Sequence, residues 1–182
     1  GYGAVSLALE RGLGLGVAVN TGNEADVGTL EVLEALAADP GTDALIGYVE
    51  SLGDGACLRR LAESGTPFAL LKAGTSESGS RAAASHTGAL ATSDRVVDDV
   101  LRQLGIARAH DVDELLDIAD ALVAPCRPAG PRVAVITTSG GSGILAADAI
   151  EQHGLTLATL SPSTTAALDE IVPAFGATAN PV

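Results

Sequence analysis

The chain has 182 residues, with 10 Lys plus Arg against 23 Asp plus Glu and a formal net charge of −13. At roughly 150 residues per domain this is one domain and part of another. So acidic a chain, with Lys72 its single lysine, excludes a nucleic-acid-binding surface and a polybasic membrane anchor, because phosphates and anionic lipids demand clustered cations.

With 2% aromatic residues and no Trp or Met, the core must come from Ala, Val, Leu and Ile, as in helix-covered parallel sheets. Short apolar runs alternate with helical patterns, the signal for βαβ units. Gly1–Arg11 reads as a helix that has lost the strand feeding it. A strand is predicted at Leu15–Asn20, a helix at Val27–Ala38, a strand at Ala44–Glu50 and a helix at Asp54–Ser64. In that helix Leu58, Leu61 and Ala62 share one face, while Arg59, Arg60 and Glu63 fall elsewhere, a period of about 3.6. Another strand, Phe68–Lys72, leads into a long loop from Ala73 through Gly88, well beyond the usual βα connection of about 2 to 6 residues. Helices at Thr87–Leu104 and Val112–Val123 follow, the second opened by Asp111 and Glu114 at capping-box spacing.

Ala124–Pro131 holds three prolines and a glycine, which neither a helix nor a central strand tolerates. The domain boundary belongs there, with 125–131 as a linker between 1–124 and 132–182. Beyond it come a strand at Arg132–Thr138, a helix at Gly143–His153, a strand at Leu155–Leu160 and a helix opened by Ser161-Pro162 as N-cap and first helical residue. That is too little for a complete doubly wound sheet, so the chain reads as a piece of something larger. Cys57 and Cys126 are read as packing thiols, too few for a disulfide framework and without metal-ligand spacing. No apolar run approaches the roughly 18 residues of a membrane span and no basic leader opens the chain, so a cytoplasmic protein is expected.

Chemistry is expected at the carboxyl ends of the strands, the ligand edge of an open parallel sheet. Glu50 ends one apolar run there. His86 stands near the far end of the long loop, just ahead of a predicted helix. A positive field at a helix N-terminus disfavours imidazolium and favours bound anions, so His86 could be a neutral nucleophile whose product is an anion. His110 and His153, at a helix start and a helix end, are read as surface residues. The third place is Ser139-Gly140-Gly141-Ser142-Gly143, a glycine turn between strand and helix that forms a phosphate cradle of backbone amides. Gly141-x-Gly143-x-x-Ala146 also fits a loose dinucleotide fingerprint, but the acidic residue that fingerprint needs about 20 positions on is missing. A Walker A loop is excluded because Lys72 stands in Leu71-Lys72-Ala73, and a serine-hydrolase elbow because Ile144 occupies its second glycine.

Leu70-Leu71-Lys72-Ala73-Gly74, the segment Arg81-Ala82-Ala83-Ala84-Ser85-His86-Thr87-Gly88-Ala89-Leu90, the earlier Gly22-Asn23-Glu24-Ala25-Asp26-Val27 and the later Thr138-Ser139-Gly140-Gly141 together resemble the NDP-forming (ADP-forming) acyl-CoA synthetases, the acetate-CoA ligase family related to succinyl-CoA synthetase. The likeness is colinear from end to end. It implies an α/β fold in which 1–124 is a flavodoxin-like domain carrying a phosphohistidine loop and 132–182 is the truncated start of a second one. It implies that His86 is phosphorylated and carries phosphate between an acyl-CoA site and a distant nucleotide site. It implies further that Glu50 bonds the other ring nitrogen, and that Ser139–Gly143 is one of two helix N-termini facing the phosphate. Lys72 and Arg81 are possible charge partners.

The resemblance also implies CoA and ATP with Mg as reactants, no covalently bound cofactor, no metal site in this chain, and a homo- or hetero-oligomer. The family's CoA-binding Rossmann domain and ATP-grasp domain are not found in the sequence, so the piece is expected to be inactive alone. An alternative stays open: similar regions serve as ligand-sensing modules in protein lysine acetyltransferases.

Overall fold

The computed structural model describes residues 2–53, 55–76, 78–79, 81 and 93–182. Contacts within it gather into two units, Gly1–Pro125 and Cys126–Val182.

The first unit runs α1 (Tyr2–Glu10), α2 (Thr29–Ala37), β1 (Leu45–Val49), α3 (Gly55–Glu63), β2 (Phe68–Lys72), α4 (Asp94–Leu104), β3 (Ala107–Ala109) and α5 (Val112–Val123). Its strands are parallel in the order β1-β2-β3, with Leu45 opposite Phe68, Val49 opposite Lys72 and Leu71 opposite Ala109. All five residues of the central strand β2 are buried, because helices cover both faces of the sheet. Alternation along the strands sends Leu45, Val49, Phe68 and Leu70 into a core with Leu33, Leu58, Leu61 and Leu101. Ala69, Leu71 and Ala109 pack instead with Leu115 of α5. Each such leucine contributes about 1.5–3 kcal/mol by leaving water.

Local chemistry fixes the helix ends. Gly105, at φ +68°, ends α4 in the left-handed conformation, its N–H donating to the Arg102 carbonyl and that of Ile106 to Leu101. At α5, Asp111 Oδ1 accepts from the Glu114 amide at 2.8 Å. The reciprocal bond lands one residue early, since Glu114 Oε2 accepts from the His110 amide at 2.7 Å. Arg60 ties α3 to α2 through both Glu34 oxygens, at 2.5 and 3.0 Å.

One expectation for this unit needs correction. Leu15–Asn20 forms no strand, and Val17 and Val19 stay exposed; an alternating run becomes a strand only when a partner takes up its amides, and among the described residues none does. Strand β3 went unpredicted because three residues are too few to show a period. Of the predicted Thr87–Leu104 helix, residues 87–92 lie outside the described residues, and Ser93 is the N-cap of α4.

The second unit runs β4 (Arg132–Val133), α6 (Gly140–Gln152), β5 (Thr156–Leu157) and α7 (Pro162–Asp169), with β4 and β5 parallel. Both strands are shorter than the predicted Arg132–Thr138 and Leu155–Leu160 because other partners take the ladder over. Asn180 Oδ1 accepts from the Val135 amide at 2.8 Å, while its Nδ2 donates to the carbonyls of Val133 and Ala158 at 2.8 and 3.0 Å. The Val182 amide then donates to Val135 O and its carbonyl accepts from Thr137. Helix α6 begins three residues earlier than the predicted Gly143, with Ser139 as its cap. At α7 the Ser161 Oγ accepts from the Thr164 amide at 3.1 Å, and Pro162 opens the helix.

Two predictions follow from this packing. A Cβ on Gly47 would meet Leu70 Cδ1 at 2.9 Å and Leu33 Cδ1 at 3.0 Å, so Gly47→Ala should cost about 1–3 kcal/mol in urea unfolding, whereas Gly53→Ala, with open space around it, serves as the control. Arg60 first, and the Cys57 thiol second, hold the Glu34 carboxyl below its ordinary 4.5. A depressed folded value stabilises above the unfolded one and ceases to as pH falls through the folded value. The stability gap between wild type and Arg60→Met should therefore narrow as pH drops below about 4.5; a gap independent of pH in acid titrations rejects the coupling.

Candidate functional site

Strands β1 and β2 end side by side. Val49 is in register with Lys72, and the Ala73 amide donates to the Val49 carbonyl at 2.8 Å. One residue past β1 stands Glu50, half-buried, whose Oε2 is shielded from solvent and accepts no hydrogen bond among the described residues. Leaving a buried acceptor without its partner costs about 1–3 kcal/mol. This oxygen therefore marks a place where a donor belongs.

Lys72 closes β2 at 4% exposure, the only buried charged residue among those described. Its Nζ donates to the carbonyls of Ala73 at 2.9 Å and Gly74 at 3.3 Å, and Gly74 makes that turn at φ +72°. No ion pair joins Lys72 and Glu50. Arg81 is exposed, with Nη2 donating to Ser78 Oγ at 3.3 Å. His86 lies outside the described residues. His110 and His153 are both exposed, Cys57 is buried and Cys126 exposed.

In the second unit the five residues of the glycine turn divide their work. The Ser139 amide donates to Thr137 Oγ1 at 3.1 Å, Ser139 Oγ accepts from the Ser142 amide at 3.4 Å, and the Gly143 amide donates to Ser139 O at 3.0 Å. Those three amides are taken. The amides of Gly140 and Gly141, in the first turn of α6, have no hydrogen-bond partner among the described residues, and a Cβ at either would meet nothing closer than 4.0 Å. Free amides at the positive end of a 13-residue helix can receive an anionic oxygen. Gly143 serves packing instead: a Cβ there would lie 3.2 Å from Pro181 Cβ.

A cleft of about 270 Å³ also opens beside the end of β1, lined among others by Glu24, Asp26, Glu31, Cys57 and Arg60. Three carboxylates against one arginine already tied to Glu34 make it a poor place for phosphate. Glu24 is occupied in any case, since its Oε1 accepts from the Thr29 amide at 3.0 Å and from the hydroxyls of Thr21 and Thr29, from a backbone at φ +54°. It caps α2, a role that sequence reasoning missed along with those of Thr137 and Asn180. An Asn-Pro pair reads as a turn signal, and a Thr two residues before the cap carries no distinctive pattern. Among the described residues no three His, Cys, Asp or Glu side chains gather to hold a metal, and no helix is long and apolar enough to cross a membrane.

The sequence model of the succinyl-CoA ligase like flavodoxin domain matches residues 1–122, and that of the ligase-CoA domain matches residues 133–182. The chain is 40% identical over its whole length to the alpha subunit of acetate–CoA ligase [ADP-forming] II from Pyrococcus furiosus, covering 40% of that protein. It is 33% identical to the 4-hydroxybutyrate–CoA ligase [ADP-forming] of Nitrosopumilus maritimus over 99% of this chain and 27% of that one. The dinucleotide forming acetyl-coenzyme A synthetase 1 of Ca. Korarchaeum cryptofilum, solved in complex with phosphate and ADP, matches it with a TM-score of 0.87 and 30% identity, over 100% of this chain and 41% of that one. The chain thus spans between about a quarter and two fifths of the length of these curated relatives. Two α/β units, each built on parallel strands, and matches that run from end to end make this chain a member of the ADP-forming acyl-CoA synthetase family.

Proposed function

We propose that the chain is the phosphate-carrying core of an acyl-CoA synthetase that converts an acid, CoA and ATP to acyl-CoA, ADP and phosphate, with His86 as the carrier. The observation that carries the reading is the orphaned Glu50 Oε2 at the end of β1, beside the strand from which the His86 loop departs. An imidazole N–H is the donor this oxygen lacks. Donating that proton to Glu50 fixes the tautomer and leaves the opposite ring nitrogen free as the nucleophile.

That nitrogen forms an N–P bond while the P–O bond to the leaving group breaks. The leaving group is ADP when ATP is the donor and the acyl carboxylate when an acyl phosphate is. The carboxylate of Glu50 balances the positive charge that the ring acquires in either direction. The free amides of Gly140 and Gly141 supply the second unit's anion site. The protein belongs in the cytoplasm, in keeping with a sequence whose two cysteines are too few for a disulfide framework. It works together with a CoA-binding domain and an ATP-grasp domain or subunit, which hold CoA and the ATP–Mg complex.

Incubating the full-length gene product with radiolabelled ATP and Mg tests the carrier. His86→Ala should take up no acid-labile label, and Glu50→Gln should slow labelling about 10- to 100-fold; label retained in His86→Ala rejects the reading. The amide site has its own test. Ser139 is already extended at φ −123°, ψ 114°, the conformation a following proline demands, and proline is at home in the first helical position. Gly140→Pro should therefore keep the fold yet raise the KM for phosphate in the reverse reaction about tenfold, the worth of one hydrogen bond to an anion. An unchanged KM in steady-state assays removes that amide from the site.

A further inference from the structure

The phosphohistidine reading leaves Lys72 without work, although it is the single lysine of a chain with net charge −13. The other four residues of β2 are Phe68, Ala69, Leu70 and Leu71, all buried. A fold that wanted only packing would continue that apolar run, since a buried charge is expensive and an apolar replacement of similar volume is often neutral or stabilising. Yet an ammonium sits there, 4% exposed, with no carboxylate against it among the described residues. Glu50, one residue past Val49 on the neighbouring strand, keeps an unpartnered oxygen and still does not pair with it. Two opposite charges at adjacent strand ends have been kept apart instead of neutralising each other.

What Lys72 does hold is the root of the loop. Two of its three N–H donors are given to the carbonyls of Ala73 and Gly74, the first two residues after β2, while the Ala73 amide is fixed to Val49. Backbone and ammonium together clamp the chain where it leaves the sheet towards His86. Arg81, by contrast, is exposed, its Nη2 donating to Ser78 Oγ.

We propose that Lys72 is a positioning residue for the His86 loop: it clamps the loop's root through Ala73 and Gly74 and contributes the positive charge that the loop's phosphorylated, anionic state requires. This rests on the proposed role of His86. It assigns to one residue a cost in stability accepted for the sake of the reaction, and the two quantities can be measured separately.

In the full-length gene product, Lys72→Met should melt at the wild-type temperature or higher, while single-turnover transfer of label from ATP to His86 slows about tenfold or more. Turnover should fall with the KM for CoA unchanged, and Lys72→Arg, which keeps the charge on a different geometry, should recover part of the rate. Wild-type labelling by Lys72→Met overturns the proposal. So does a Lys72→Met protein that fails to fold or melts well below wild type, because the lysine would then be structural. His86→Ala run in parallel separates the two readings. If it keeps its label the carrier role falls and the Lys72 proposal with it; if it loses its label while Lys72→Met labels normally, only the Lys72 proposal falls.

Discussion

The parallel pairing of β1 with β2 is the constraint on which the rest of the first unit depends. Its register, Val49 opposite Lys72, makes two strands finish at the same level, so the residues that follow them emerge at one edge. A slip by one residue would exchange the faces of every side chain, turning Leu45 and Val49 out of the core. The register is held by burial on both sides of β2 and by the tight contact of Gly47 with Leu70 and Leu33. Charge is thereby delivered to the edge where β1 and β2 end, and Glu50 and Lys72 keep their unusual surroundings because the strands beneath them cannot shift.

A chain this poor in cations has backbone donors as its main means of holding an anion. Guanidinium groups are mostly engaged elsewhere: Arg11 with Asp113 and Asp117, Arg60 with Glu34, Arg102 with Asp98 and Asp99, Arg108 with Asp94. The free amides of Gly140 and Gly141 stand at a helix N-terminus that Ser139 and Thr137 hold open. Such donors are fixed in place before any ligand arrives and need no side chain to be ordered around it.

Legibility in the sequence followed the strength of each local signal. The cores of α2, α3, α5, β1 and β2 were readable because their apolar periods are long and their faces are truly buried, as with Leu58 and Leu61 against the polar Arg59 and Arg60. Leu15–Asn20 carries a strand's alternation without a strand's partner, and no pattern within a segment reveals whether a ladder awaits it. The second unit was misread at its strand ends for the opposite reason, since the partners of Val135 and Thr137 come from residues 180–182, far away in sequence. At the candidate site, residue types and positions at strand ends pointed to Glu50 and to the glycine turn. The burial of Lys72, and the division of the turn into free and occupied amides, depend on three-dimensional surroundings that spacing does not encode.

Asn180 brings out one more property of the fold. Its carboxamide donates to two carbonyls and accepts from one amide, a set of bonds that a carboxylate could not make, having no N–H to give. Conversion of this asparagine to aspartate would place a negative charge against two carbonyl oxygens. The usual chemical route to that conversion is attack on the side chain by the next residue's backbone nitrogen, and here the next residue is Pro181, whose nitrogen carries no hydrogen. The residue that the second unit can least afford to see age is thus shielded by its own neighbour from the commonest way an asparagine ages.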